Sequence, residues 1–266
     1  MTKQTKEVKG KKIAYKDSGQ GIPVVLLHGF CGSSAYWDQL IPRLEGRCRV
    51  IAPDLRGHGE SSAPADNVYS METLAEDIAG LLDAIELGPV ILLGHSLGGY
   101  TALAFAEKFP NKLRAFGLVH STAYPDDEKG KEGRLKAQQT VREQGLPVFL
   151  DGLIPKLFAP EHLTSMPDAV QQAKSIGLGT SPEGAVATLE GMRTRPDRNA
   201  VLASAQVPVL LVAGSKDQII APDRTFSVQG EHITQKQIDG AGHMSMIETT
   251  DVLAQMILDF VNTVDH

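Results

Sequence analysis

Cysteine is scarce in this chain: Cys31 and Cys48 are the only two in 266 residues. So few thiols exclude a disulfide scaffold and a thiolate metal cluster, and they point to two free thiols in a reducing cytoplasm. A basic surplus is also missing, because 26 Lys and Arg stand against 32 Asp and Glu, a formal charge of −6. Nucleic-acid and anionic-membrane surfaces need a basic patch, so neither is an expected partner. No apolar run reaches the roughly 18 residues of a membrane helix. The opening stretch MTKQTKEVKGKK is basic but has no apolar core of the kind a secretion leader carries. The eight histidines form no H-E-x-x-H pair or comparable ligand cluster, so no metal is expected. Repeats and low-complexity segments are absent as well.

What remains is an ordinary globular composition, 42% hydrophobic and 22% charged. A chain of this length holds one large domain with a sizeable core. Short aliphatic runs alternate with helical periodicity, the pattern of parallel strands joined by crossover helices. A hairpin turns near Gly10. Strands are expected over 23–29, 48–54, 89–95, 113–121 and 208–217, with a last one in HITQKQIDGAGH. Helices are expected in SAYWDQLIPRLEG up to Gly46, over 71–87, from Ser96 to just before Pro110, and at the carboxyl end, where Ile247, Met256, Ile257, Phe260, Val261 and Val264 recur at helical spacing. The strands are apolar throughout, as in a sheet covered on both faces. Between Ser121 and about Ala205 the rhythm breaks. Helical pieces carry apolar clusters (Leu146, Val148, Phe149, Leu150, then Leu153, Ile154, Leu157, Phe158), which a disordered linker lacks. The expected organisation is a core of residues 1–121 and 206–266, with 122–205 as a helical cap subdomain.

Chemistry concentrates at VILLGHSLGGYTALAFAEKFP. Gly94-His95-Ser96-Leu97-Gly98 is a G-x-S-x-G motif that follows a strand and opens a helix, the context a nucleophile elbow requires. A plain turn with a capping serine is the competing explanation. A serine hydroxyl needs a general base that is itself oriented by a carboxylate. Asp217 stands just after the strand in LLVAGSKD, and His243 stands in the glycine-rich loop DGAGHM, so the chain order is Ser–Asp–His. The backbone N–H of Leu97 supplies one oxyanion donor. LLHGFCGSS supplies the second, the N–H of Phe30, with Gly29 and Gly32 letting the backbone turn. GHSLGG is not G-x-G-x-x-G, so no dinucleotide cofactor is expected.

Taken together, HGFCGSSAYW, DLRGHGESS, GHSLGG, AGSKD and GAGHM resemble the α/β-hydrolase superfamily in order and distance over almost the whole chain. More narrowly the chain is similar to compact bacterial carboxylesterases and cofactor-free haloperoxidase-type hydrolases with a cap after the sixth strand. The resemblance implies a mostly parallel central sheet flanked by helices and a Ser96–His243–Asp217 triad. Ser96 departs from epoxide hydrolases and haloalkane dehalogenases, which carry aspartate there. Met244 departs from plant hydroxynitrile lyases, which carry lysine. Ser245 and Thr250 stand where many relatives have proline, a difference expected to affect loop rigidity only.

The reading that follows is an esterase for short to medium acyl chains, acting on a small molecule as a monomer or small homo-oligomer. The same constellation serves carbon–carbon hydrolases, lactonases and perhydrolases, and a non-catalytic binding protein on this fold is the reading from outside enzymology. Asp126, past the sixth strand, is the runner-up acid. His28, His58 and His95 are expected to be structural, Asp54 and Arg56 to pin a turn, and His120 and His162 at most to line a pocket.

Overall fold

In a computed structural model, residues 2–264 are described. Eight strands form one sheet in the order β1-β2-β4-β3-β5-β6-β7-β8. They are β1 Gln4–Val8, β2 Lys11–Ser18, β3 Ile22–Leu27, β4 Cys48–Pro53, β5 Val90–His95, β6 Leu113–Val119, β7 Val209–Gly214 and β8 Ile233–Ile238. From β3 to β8 all neighbours run parallel, while β2 pairs antiparallel with both β1 and β4. Val24 and Leu26 face one core cluster and Val25 and Leu27 the other, which is why the strand carries no polar alternation. The edge strand β8 is the exception, with Ile238 as its one fully buried residue.

Helices Met71–Ala84 and Leu97–Lys108 cover one face, and Thr250–Val264 packs with the opposite cluster. Ser70 caps the first by accepting the Thr73 N–H. The single helix expected up to Gly46 is instead a one-turn 3₁₀ segment, Ser34–Trp37, and a short helix, Ile41–Leu44. Pro42 explains the break, since it has no N–H to offer the Asp38 carbonyl and its ring crowds that turn. Between β6 and β7 the described residues form helices and no strand: Glu128–Gln144, Leu146–Leu157, Pro167–Gly177 and Pro182–Arg193 are the long ones. Of the apolar clusters there, Leu146, Leu150, Ile154, Leu157 and Phe158 are buried in the core, whereas Val148 is exposed. No helix among the described residues is long and apolar enough to cross a membrane.

Because β3 to β8 are parallel, Phe30, Asp54, Ser96, His120, Asp217 and His243 all follow strands at one carboxyl edge of the sheet. Open parallel sheets bind their ligands at that edge.

Candidate active site

Ser96 adopts φ +51° and ψ −112°, a strained conformation for a residue with a side chain. Its N–H completes the sheet ladder by donating to Val119 O (3.0 Å), and its carbonyl accepts the Gly99 N–H (2.9 Å), starting the helix. The corner closes only because its neighbours are small. A Cβ on Gly94 would collide with the Gly98 carbonyl, and one on Gly98 with the Leu27 carbonyl. Ser96 stands at the N-cap position but its hydroxyl makes no capping bond, so the side chain is not spent on the helix. That removes the capping-serine explanation. Ser121 Oγ donates to the Ser96 carbonyl at 2.7 Å and braces the turn.

The strip after β3 lies directly on this corner. Gly32 N–H closes a turn onto Gly29 O (3.0 Å), and Cys31 holds the left-handed conformation there at φ +53°. A Cβ on Gly29 would come within 2.6 Å of His95 Nδ1 and 3.3 Å of Ser96 Cβ. Among the described residues, neither the Phe30 N–H nor the Leu97 N–H has an acceptor. Leu97 N–H is one of the unpartnered donors at the start of its helix, and Phe30 follows the Gly29 that packs against Ser96. The Phe30 ring meets Phe149 of the inserted helices edge-on, at 5.9 Å between centroids, and His58 at 6.0 Å.

Asp217 and His243 come together. His243 Nδ1 donates to Asp217 Oδ2 at 2.8 Å, leaving Nε2 with its lone pair. The other carboxylate oxygen accepts the N–H groups of Ile219 (2.8 Å) and Ile220 (3.0 Å). Both side chains are buried. Burial alone pushes the Asp217 carboxyl up, but the interaction with His243 and the bonds from His120 and His243 outweigh it and hold the group far below the usual carboxylate range. The backbone of His243 is gripped from two sides: its N–H donates to Leu157 O (2.8 Å) on the insertion, and its carbonyl accepts His95 Nε2–H (2.8 Å) from the elbow. The rings of His95 and His243 lie 4.8 Å apart. The structure thus brings His243 and Asp217 into direct contact and joins Ser96 to them through its neighbour His95. No hydrogen bond runs from Ser96 Oγ to His243 among the described residues.

Several expectations change here. Asp126, the runner-up acid, is engaged by Arg134 Nε (2.9 Å) and Arg195 Nη2 (2.8 Å) at the root of the insertion and takes no part in the histidine pair. His120 was expected at most to line a pocket. It is fully buried, with Nδ1 at 3.2 Å from Asp217 Oδ2 and Nε2 at 2.7 Å from Ser245 Oγ. Ser245 therefore does more than stiffen its loop. Glu248, which sequence reasoning passed over, is a buried carboxylate accepting from Ala159 N (2.7 Å), His162 Nδ1 (2.7 Å) and Met244 N (2.9 Å), so it ties the insertion to the His243 loop. His162 spends its Nδ1 on that bond. Asp54 accepts from Ser34 N and Glu60 N and pins its turn as expected, and Arg56 makes a bidentate pair with Asp77. His28 bridges the Leu55 N–H and the Gly29 carbonyl.

His120, Asp217 and His243 also present nitrogen and oxygen atoms within 4.8 Å of one another. Those facing atoms are engaged in the two His–Asp bonds just described. A groove of about 750 Å³ between the 65–68 loop and the inserted helices, bordered by Val68, Val141 and Val186, shares none of these residues.

Residues 22–250 match the alpha/beta hydrolase fold family, and the chain belongs to it. A thermophilic esterase from Thermogutta terrifontis, solved with malate bound, superposes with a TM-score of 0.93 at 31% identity, over 99% of each chain. Lipase 1 of Psychrobacter immobilis is 30% identical over 92% of this chain and 79% of its own length. The dihydrolipoyllysine-residue acetyltransferase component of the acetoin cleaving system of Pseudomonas putida is 30% identical over 97% of this chain and 69% of its own. The protein is a hydrolase of this fold.

Proposed function

We propose that the protein cleaves neutral carboxylic esters of short to medium acyl length through an acyl-enzyme. Ser96 Oγ attacks the ester carbonyl while His243 Nε2 takes its proton, and Asp217 holds the imidazole in the tautomer that leaves Nε2 free. The negative oxygen of the tetrahedral intermediate lies against the N–H groups of Phe30 and Leu97, each such donor being worth about 3–4 kcal/mol in the transition state. His243 returns the proton to the leaving alcohol. Water, deprotonated by the same nitrogen, then attacks the acyl-enzyme, and Ser96 departs. The Ser96–His243 bond forms with substrate present, as in hydrolases whose catalytic hydrogen bonds tighten only in the complex.

The observation that carries this reading is the buried Asp217–His243 pair at the sheet edge where a serine is held at φ +51° with its hydroxyl uncommitted. Two partnerless backbone donors beside that serine support the oxyanion assignment. Residues 122–205 act as the cap. Phe30, which follows the Gly29 that packs on Ser96, meets Phe149 of the inserted helices edge-on, and an apolar surface of this kind favours uncharged acyl groups. Each methylene enclosed there stabilises the complex by about 0.8 kcal/mol until the space is filled.

The test is kcat/KM across p-nitrophenyl esters from acetate to palmitate, with a succinate half-ester as the charged control. A maximum at short or medium length with a burst of p-nitrophenol is expected. A maximum at palmitate, or preference for the charged acyl group over butyrate, overturns the substrate assignment. Lactones or carbon–carbon cleavage substrates turned over far faster than any ester would move the protein to those activities with the same triad.

A further inference from the structure

Asp217 receives two imidazoles on one oxygen. His243 Nδ1 reaches Oδ2 at 2.8 Å, and His120 Nδ1 reaches the same atom at 3.2 Å. The two rings lie 5.7 Å apart and are steeply inclined to each other, so they approach the carboxylate from different sides. His120 is not a loosely placed side chain. It is wholly buried, its backbone sits at φ +49°, and its N–H donates to Val212 O at 2.8 Å. Strain of this kind persists only where the surroundings over-determine it.

The tautomer of His120 follows from its partners. An ionised carboxylate can only accept, so Nδ1 carries the proton. Nε2 is then an acceptor, and the Ser245 hydroxyl, 2.7 Å away, must donate to it. The groups facing His120 are Asp217, His243, His95 at 6.1 Å between ring centroids, and Glu248. Burial lowers the basicity of His120, against which the bond and charge of Asp217 work. A neutral donor whose proton is held on Nδ1 by the carboxylate and whose ring is braced at Nε2 is what this arrangement provides.

We infer that His120, with its proton held on Nδ1 by the carboxylate and its ring braced at Nε2 by Ser245, is a positioning residue for Asp217, fixing the carboxylate so that its other approach is aimed at His243. The inference rests on the triad reading above. Asp217 is then held by four donors: the backbone amides of Ile219 and Ile220 on Oδ1, and His120 and His243 on Oδ2. Removing the His120 donor frees the carboxylate to rotate and leaves more of its charge to His243. The first effect lowers turnover. The second favours the protonated, inactive base, so the acid limb of the activity profile moves to higher pH.

The experiment compares wild type, His120→Ala, His120→Asn and Ser245→Ala on a p-nitrophenyl ester over the active pH range, with Ser96→Ala alongside. Asparagine tolerates the left-handed backbone at 120 and places an N–H near the position of Nδ1, so it restores the donor without the ring. His120→Ala should lower kcat by roughly 10–100-fold with KM within about twofold, as expected when an orienting contact is lost. Its acid limb should rise by about half a pH unit. His120→Asn should recover kcat to within about threefold of wild type, and Ser245→Ala should lose roughly three- to tenfold because the ring then loses its brace at Nε2. Unchanged kcat and pH profile in a folded His120→Ala overturn the inference, as does an Asn variant as slow as the Ala one. Should His120→Ala not fold, an unaffected Ser245→Ala together with a crippled His120→Asn overturns it instead. Activity surviving in Ser96→Ala sinks the triad reading itself, whereas a dead Ser96→Ala beside an unimpaired His120→Ala sinks this inference alone.

Discussion

Ser96 and His120 occupy equivalent corners of neighbouring strands. His95 and Val119 are paired in the β5–β6 ladder, so the next residue on each strand is Ser96 and His120. Each donates its N–H to the strand next door, Ser96 to Val119 and His120 to Val212, and each then turns through a positive φ, +51° and +49°. They differ in what flanks them. Ser96 has glycines at 94, 98 and 99 and faces partly outward, while His120 is followed by Ser121 and Thr122 and is sealed. In the proposed mechanism the first corner presents the nucleophilic hydroxyl to substrate. The other presents an imidazole to the carboxylate that orients the base. The same backbone device thus serves the reacting centre and its support, and Ser121 Oγ bonded to the Ser96 carbonyl links the two.

Breaking the first corner should have the largest effect. Ser96→Ala and His243→Ala are each expected to lower kcat by roughly 10⁴–10⁶-fold, with the double variant little worse than either single one. Steady-state kinetics on an activated ester reads this, and more than about a tenth of wild-type activity in Ser96→Ala would refute the nucleophile assignment.

The acid separates the two corners from the root of the insertion. Asp217→Asn should drop kcat by roughly 10⁴-fold with the fold intact, since an amide at that position favours the wrong histidine tautomer. Asp126→Asn should leave kcat nearly unchanged and instead lower stability by about 1–3 kcal/mol, because Arg134 and Arg195 lose a charged partner. The reverse pattern would move the acid to the end of β6.

A last effect concerns stability against pH rather than turnover. Burial lowers His28 to about 4 and His58 to about 3, from an ordinary 6.5. Both are neutral in the fold at neutral pH. Their unfolded forms take up protons below about pH 6.5 that the folded forms refuse, so the stability they contribute is complete above that value and is lost progressively toward pH 4. Each contributes on the order of 3 kcal/mol to this loss. Asp217, depressed by its partners, adds to acid sensitivity only once its unfolded carboxyl begins to protonate, near pH 4. Denaturant titrations at about pH 7 and about pH 5 should show the decline, and equal midpoints would contradict it.

The succession of strands along the chain, the elbow and the places of Asp217 and His243 were legible because each is a local pattern. Apolar runs of strand length, glycines around Ser96, and polar residues just past a strand end are read within a few positions of one another. His120 carried a weaker signal, its position one residue beyond β6 at the same edge as Ser96. It was read at most as a pocket-lining residue because no glycine announces a positive φ there and because its partner Ser245 lies 125 positions away. Glu248 was invisible for the same reason, since its acceptors' partners at 159 and 162 belong to the insertion.

What this sequence determined by itself was therefore the architecture and the candidate reacting groups, since hydrophobic period and turn chemistry act over short stretches of chain. Only the tertiary structure decided which of the buried polar groups meet. It assigned Asp126 to two arginines, set two histidines on one carboxylate oxygen of Asp217, and stitched residues 157–162 to the His243 loop. The reason is energetic. A polar group taken out of water must find a partner, and which partner it finds is fixed by the packing of strand ends rather than by neighbours in sequence.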